Sequence, residues 1–266
     1  MQYDPIKRET GKIFNCCKSA RLLFYSLLNI LLLRSWYVRK EVRNWARYAP
    51  AGAAILDAGS GFGQYIHFIS RLNKDYTIKG IDVKDEEIEN CRRFFVDNQK
   101  IIFEKADLNT FVEQEKFDLI LCIDVLEHIA DDVGVMKNLC ASMKKGGLLL
   151  ISTPSDRAGS EVHGKDGDSF IEEHVRDGYP VEEIESKLRQ AGFSRTETIY
   201  SYGRPGQLSW KLSMKYPISM LNRGRAFYLV LPVYYMITLP FAMLLNFRDL
   251  RKKHNSGTGL IVKAVK

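Results

Sequence analysis

The sequence predicts an α/β fold, a doubly wound parallel sheet carrying helical additions, and three observations lead there. Four short apolar runs, residues 54–58, 76–82, 101–105 and 117–124, each end in or lead directly to a carboxylate: Asp57, Asp82, Asp107 and Asp124. Helical patterns separate them, the first formed by Tyr65, Ile66, Phe68, Ile69 and Leu72. Such alternation makes βαβ units whose ligand lies at the carboxyl ends of the strands. Between the first strand and the first helix stand Gly59, Gly61 and Gly63, where a residue without Cβ lets the backbone approach a ligand closely.

The charge around that turn selects its ligand. A dinucleotide cradle offers amides and a helix N-terminus to a pyrophosphate, and Asp57 two residues before the first glycine would repel one. The same carboxylate suits an ammonium or sulfonium group. Asp82, closing the second strand, is placed for a ribose diol, and Asp107, in Ala106-Asp107-Leu108, for an adenine amino group. Taken singly, each acid could be a turn cap or a loop residue and the glycines a ligand-free turn. Their joint order favours a site.

With these residues in place, the chain closely resembles the class I S-adenosylmethionine-dependent methyltransferases. The matching stretches are Asp57-Ala-Gly59-Ser-Gly61-Phe-Gly63, Gly80-Ile-Asp82, Ala106-Asp107-Leu108, the run from Phe117 through Asp124 to Glu127-His128-Ile129, and Lys145-Gly146-Gly147 with the apolar run to Thr153-Pro154. They run in order from Ala54 to Phe193 and resume at residues 259–266. The resemblance implies a Rossmann-like, seven-stranded doubly wound sheet with its last strand antiparallel. It also implies S-adenosyl-L-methionine as cofactor, bound by Asp57, Gly59, Gly61, Gly63, Asp82, Asp107, Leu108 and Asp124.

Asp124, Glu127 and His128 stand at i, i+3 and i+4, so a helical turn would bring them to one face. Such a trio could hold a divalent cation that orients and acidifies a hydroxyl. It resembles the metal-binding Glu-x-x-Glu-His of ubiquinone-pathway O-methyltransferases, with Asp124 replacing the first Glu. That departure, and the presence of Leu-Glu-His-Ile in relatives not known for a metal, make a cation the lesser reading. The resemblance instead puts His128 near the acceptor as a general base, since an ordinary imidazole titrates at about 6.5. His174, in His174-Val-Arg176 before Gly178-Tyr179, is the second candidate and His163 a third; surface or structural roles compete, and Arg176 could bind a carboxylate or pair with Glu172 or Glu173.

Composition bounds the partners. A net charge of +7 and a pI near 9.0 favour an anionic surface, nucleic acid or membrane. Lys and Arg gather around apolar runs instead of forming a stripe with stacking aromatics, which weighs against nucleic acid. Cys16, Cys17, Cys91, Cys122 and Cys140 have no metal or CxxC spacing, consistent with a reducing cytosol.

Two segments fall outside the resemblance. Residues 22–33 are almost wholly apolar, yet as a helix would reach only about 18 Å against a bilayer core of roughly 30 Å. No small-residue cleavage site follows, so basic and aromatic flanks make this an interfacial helix, or else one that packs on the protein's own core or caps its pocket. The second segment separates the sixth strand, 195–202, from the last. Within it, residues 226–247 carry no charge and are long enough to cross a bilayer. Both ends must return to one soluble sheet, Pro232 and Pro240 should break or kink a helix, and both flanks are basic. The expectation is two short helices or a re-entrant hairpin dipping into one leaflet, with a dimer interface or a soluble lid as alternatives.

The organisation expected is therefore an N-terminal helical segment, 1–50; a cofactor domain, 51–203 with 257–266; and an apolar insertion, 204–256. The function expected is methyl transfer, at oxygen, to a hydrophobic phenolic, quinone-like or lipid acceptor, by a cytoplasmic protein attached to the inner face of a membrane. A nucleic-acid methyltransferase and a catalytically inactive membrane-docked scaffold are the alternatives. The sequence leaves the oligomeric state open.

Overall fold

A computed structural model describes residues 17–158, 175–224 and 227–266. Two helices open it, α1 (Lys18–Leu31) and α2 (Leu33–Ala46), divided at Leu32, whose φ of −97° and ψ of 108° are extended. The apolar run is thus split between two helices. Then follow β1 (Ala54–Ala58), α3 (Gln64–Ser70), β2 (Thr77–Asp82), α4 (Asp85–Phe94), β3 (Ile101–Lys105) and β4 (Phe117–Ile123). A 3₁₀ turn (Leu126–His128), α5 (Asp132–Ser142), β5 (Met143–Pro154), α6 (Val181–Gln190) and β6 (Arg195–Ser201) come next.

The seven strands lie in the order β3-β2-β1-β4-β5-β7-β6, β7 being Gly259–Val265. β1 pairs in parallel with both β2 and β4, and β7 runs antiparallel to both β5 and β6. Chain order reverses between β1 and β4, the switch point where open α/β sheets bind ligands. The central strands are buried on both faces, as near-continuous apolar runs require. Leu56, Ile120 and Ile151 pack under α5 and α6 on one side. Ile55, Leu119 and Leu121 pack under α2, α3 and α4 on the other. Leu33, Tyr37, Val38 and Val42 of α2 belong to that second core, so α2 is a layer of the fold itself.

The insertion is a helical hairpin. Its first arm runs through α7 (Arg204–Trp210), a π-helical segment (Lys211–Lys215) and α8 (Tyr216–Arg223). The return arm is one helix, α9 (Phe227–Arg251), of 25 residues. Of the expectation that Pro232 and Pro240 break or kink this run, the break is corrected: the helix continues through both. Each ring removes one amide donor, and both prolines are exposed on the outer side of the hairpin. Ser209 Oγ to Ala242 O at 2.9 Å, and the Tyr234 and Tyr235 hydroxyls to Leu212 O and Ser213 O at 2.8 Å, hold the arms together.

The foot of the hairpin is fastened at Asp249, which is fully buried. Its carboxylate accepts from Tyr37 Oη at 2.8 Å and from the Gly206 amide at 2.9 Å, with His254 Nε2 at 3.2 Å. α9 is nonetheless largely exposed along its length: Leu229, Met236, Phe241 and Ile237 are 84%, 77%, 62% and 61% accessible.

Candidate active site

The turn after β1 is built for close approach. Gly59, Gly61 and Gly63 have φ of 81°, 45° and 71°, a region that L side chains rarely adopt. A Cβ on Gly59 would stand 2.4 Å from Val125 Cγ2, so this position has no room for a side chain. The Gly59 and Ser60 amides donate to Ile81 O at 2.9 and 2.8 Å, tying the turn to β2. Asp82 at the end of β2 accepts from Gly61 N through Oδ2 and from Lys84 N through Oδ1, both at 3.0 Å. Its oxygens keep lone pairs for a further donor.

Asp57 is buried at the end of β1, and its Oδ2 has no hydrogen-bond partner among the described residues. Burial and then the neighbouring Asp82 push its carboxyl up to about 7. Ser60 Oγ in the same turn and Gln64 Oε1 at the start of α3 are likewise buried without partners among the described residues. Buried polar atoms are costly unless satisfied. An acid-lined cradle with three unsatisfied polar atoms fits a cationic ligand bearing donors, which is the chemistry of the ammonium and sulfonium of S-adenosylmethionine. Leu108 is buried beside Asp107, which is exposed; Asp107 Oδ1 accepts from the backbone and side-chain amides of Asn109 at 2.9 and 2.8 Å.

Sequence reasoning offered a cap over this cradle only as an alternative and named none of the residues that form it. Arg21 and Tyr25 of α1 are both buried and converge on Phe62 O, at 2.8 and 2.5 Å, and Phe24 packs edge-on to the Phe62 ring. Arg21 also donates to Cys91 Sγ at 3.1 Å. Arg34 of α2 forms an ion pair with Asp124 at the end of β4. Burial alone would lower the Arg34 guanidinium, but Asp124 and its neighbours outweigh it and push it up. The alternative that the N-terminal helices cap the pocket therefore describes their inner faces, while Leu22, Leu23 and Leu27 face outward.

The Asp124-Glu127-His128 trio does not converge. Asp124 has φ of 53° and turns toward Arg34 and Ser152 Oγ, the latter at 3.3 Å. Glu127 is buried and accepts from Thr153 Oγ1 at 3.2 Å; burial and then Asp124 push it up to about 8. His128 is exposed on the 3₁₀ turn. The tighter turn separates what an α-turn would align, and among the described residues no three His, Cys, Asp or Glu side chains are grouped to hold a metal ion. Arg176 pairs with Asp132, donating also to Tyr179 Oη at 2.7 Å and Ile129 O at 2.8 Å, which pins the chain after β5; Glu172 and Glu173 lie outside the described residues. His163 and His174 lie outside the described residues.

Fold and cradle together define a class, the Rossmann-like proteins that bind a cationic nucleoside cofactor at the switch point. A family model described as "Methyltransferase domain" matches residues 31–198, more than half of the chain, and the chain belongs to that family of S-adenosylmethionine-dependent methyltransferases. It is similar to a ubiquinone biosynthesis O-methyltransferase of Xanthomonas axonopodis pv. citri, 24% identical over 186 residues, which are 66% of this chain and 77% of that one. A second such enzyme, from Actinobacillus pleuropneumoniae, is 31% identical over 109 residues, 38% of this chain; the match spans only 46% of that relative, about half its length. The fold is shared with phosphoethanolamine N-methyltransferase 2 of Haemonchus contortus, solved with S-adenosyl-L-methionine, at a TM-score of 0.59 and 18% identity over 87% of this chain and 52% of that one.

Proposed function

We propose that this protein transfers a methyl group from S-adenosylmethionine to a hydrophobic acceptor drawn from a membrane, at an oxygen of a phenolic, quinone-like or lipid molecule. The cofactor, when bound, supplies a methyl group on a positively charged sulfur. Asp57 would accept from its ammonium, Asp82 from its ribose and Asp107 from its adenine, while Gly59, Gly61 and Gly63 would give the backbone room to approach. Asp124 and Leu108 complete the pocket wall. His128, on the turn after β4, takes the proton of an acceptor hydroxyl, and His174 is the second candidate for that role.

The observation that carries the acceptor assignment is α9, a 25-residue apolar helix whose outward residues meet nothing else in the described chain. Exposed apolar surface on this scale marks an interaction site. In this reading residues 204–256 insert into the cytoplasmic leaflet from one side, the cofactor domain stays in the cytoplasm, and α1 and α2 close over the cofactor. Mostly positioning and desolvation accelerate the transfer, because the leaving thioether is neutral.

The test is calorimetric titration of the detergent-solubilised protein with S-adenosylmethionine, beside Asp82→Ala, followed by transfer of labelled methyl to membrane lipid extracts. Binding lost in the variant, with label in a lipid-soluble product, is the expected result. Label transferred only to water-soluble acceptors would overturn the acceptor assignment, and no binding by folded protein would overturn methyl transfer.

A further inference from the structure

The outer face of α2 carries Trp36, Arg39, Lys40 and Arg43, and Arg47 continues it at the C-cap, spaced at i, i+3, i+4, i+7 and i+11, so that one side of the helix is cationic. These five residues and Leu250 of α9 line a cleft of about 360 Å³. Four cations gather there, and none of them pairs with a carboxylate among the described residues. Arg39 and Arg43 instead lie over the face of Phe68, 4.3 and 5.1 Å from its centroid. Burial, and then Arg43, lower the Arg39 guanidinium, as expected where like charges crowd without a counterion. Trp36 Nε1 is buried and has no hydrogen-bond acceptor among the described residues. The cleft thus offers guanidinium groups and an ammonium, with an unsatisfied indole N–H on one of its lining residues, to an anion that the described residues do not supply.

Its place in the fold identifies the anion. Lys40 Nζ donates to Leu250 O at 3.2 Å, fixing the cleft at the foot of α9, where the apolar stretch gives way to Arg248, Arg251, Lys252 and Lys253. A helix whose apolar length lies in one leaflet sets its charged foot at the level of the headgroups. Guanidinium pairs bind phosphate oxygens bidentately, and aromatic rings with a polar edge favour this depth. We propose that this cleft binds the phosphate of an anionic phospholipid headgroup, held by Arg39, Lys40, Arg43 and Arg47 with Trp36 Nε1 as a directed donor. The proposal rests on the membrane-docking reading of α9 and adds to it a lipid selectivity built on a different element.

Flotation of the full-length protein with vesicles of phosphatidylcholine alone, and with phosphatidylglycerol added, separates the two ideas. The wild type should float with both and bind the mixed vesicles on the order of tenfold more tightly at low salt. Lys40→Gln/Arg43→Gln, which replaces two cleft-lining cations, should reduce binding to mixed vesicles to the level seen with phosphatidylcholine. Lys252→Gln/Lys253→Gln, removing equal charge elsewhere on the foot, should keep most of the difference, and Trp36→Phe should lose part of it. Equal binding of the wild type to both vesicles, or equal losses in the two double variants, would overturn the headgroup site while leaving α9 as an anchor. Failure to bind either vesicle would overturn both. Soluble glycerol phosphate that binds the cleft while vesicles do not would reassign it to a free phosphate compound.

Discussion

Arg34, on the second N-terminal helix, and Asp124, at the carboxyl end of the fourth strand, form an ion pair across the switch point of the sheet. The pair neutralises one of the four strand-end acids and leaves Asp57 and Asp82 to face the cradle. Replacing Arg34 by Gln leaves Asp124 beside the buried Glu127 without its counter-charge. Chemical denaturation should show a loss of about 1–3 kcal/mol, below that of a fully buried pair because solvent reaches both groups. Adding Asp124→Asn should return part of it, and the double-mutant cycle measures the coupling.

Asp57 makes stability and affinity depend on pH in opposite ways. Its carboxyl is raised from 3.8 to about 7, so the folded protein holds the proton more tightly than the unfolded chain. The ligand-free protein should therefore lose stability as pH rises from about 4 to about 7, and Glu127, raised from 4.5 to about 8, adds to the same trend. A positively charged ligand favours the ionised carboxylate, so affinity for S-adenosylmethionine should increase toward pH 7 with release of a proton, read by calorimetry in buffers of different ionisation enthalpy. Asp57→Asn should stabilise the ligand-free protein at pH 8 by a few kcal/mol, since each tenfold difference in proton affinity between folded and unfolded chain is worth about 1.4 kcal/mol, and should weaken the cofactor.

Gly59→Ala places a Cβ at a φ of 81° and 2.4 Å from Val125 Cγ2. The backbone strain alone costs about 1–2 kcal/mol and the clash adds to it, so the thermal midpoint should fall by several degrees with loss of cofactor binding. Gly61→Ala meets nothing within 4 Å and should cost less stability, so differential scanning fluorimetry of the two variants checks the ranking.

Met236→Glu with Phe241→Glu tests the anchor. Both side chains point outward, at 77% and 62% exposure, so the thermal midpoint should hold within the small effects usual for surface changes. Vesicle binding should disappear. Retained binding would move the anchor away from α9.

Much of this protein was legible as pattern. Apolar runs ending at Asp57, Asp82 and Asp124, and glycines at 59, 61 and 63, are local signals, because strand burial and turn geometry act over a few residues. From them the parallel sheet and the cradle follow, the family resemblance they carry implies the antiparallel last strand, and the lack of charge in residues 226–247 marks the apolar insertion. Tertiary structure alone decided the rest. Arg21 and Tyr25 meet Phe62 O, Arg34 meets Asp124, and Asp249 gathers Tyr37, Gly206 and His254, contacts between residues mostly far apart in the chain that leave no periodic trace. Proline propensity pointed to a break in α9, but the packing of Tyr234, Tyr235 and Ala242 on the first arm of the hairpin holds the helix whole. The i, i+3, i+4 spacing of Asp124, Glu127 and His128 suggested a shared face. A left-handed Asp124 and a 3₁₀ turn break that face, with Asp124 turned to Arg34, Glu127 buried beside it and His128 exposed, because ion pairing with Arg34 and burial of Glu127 outweigh helical register.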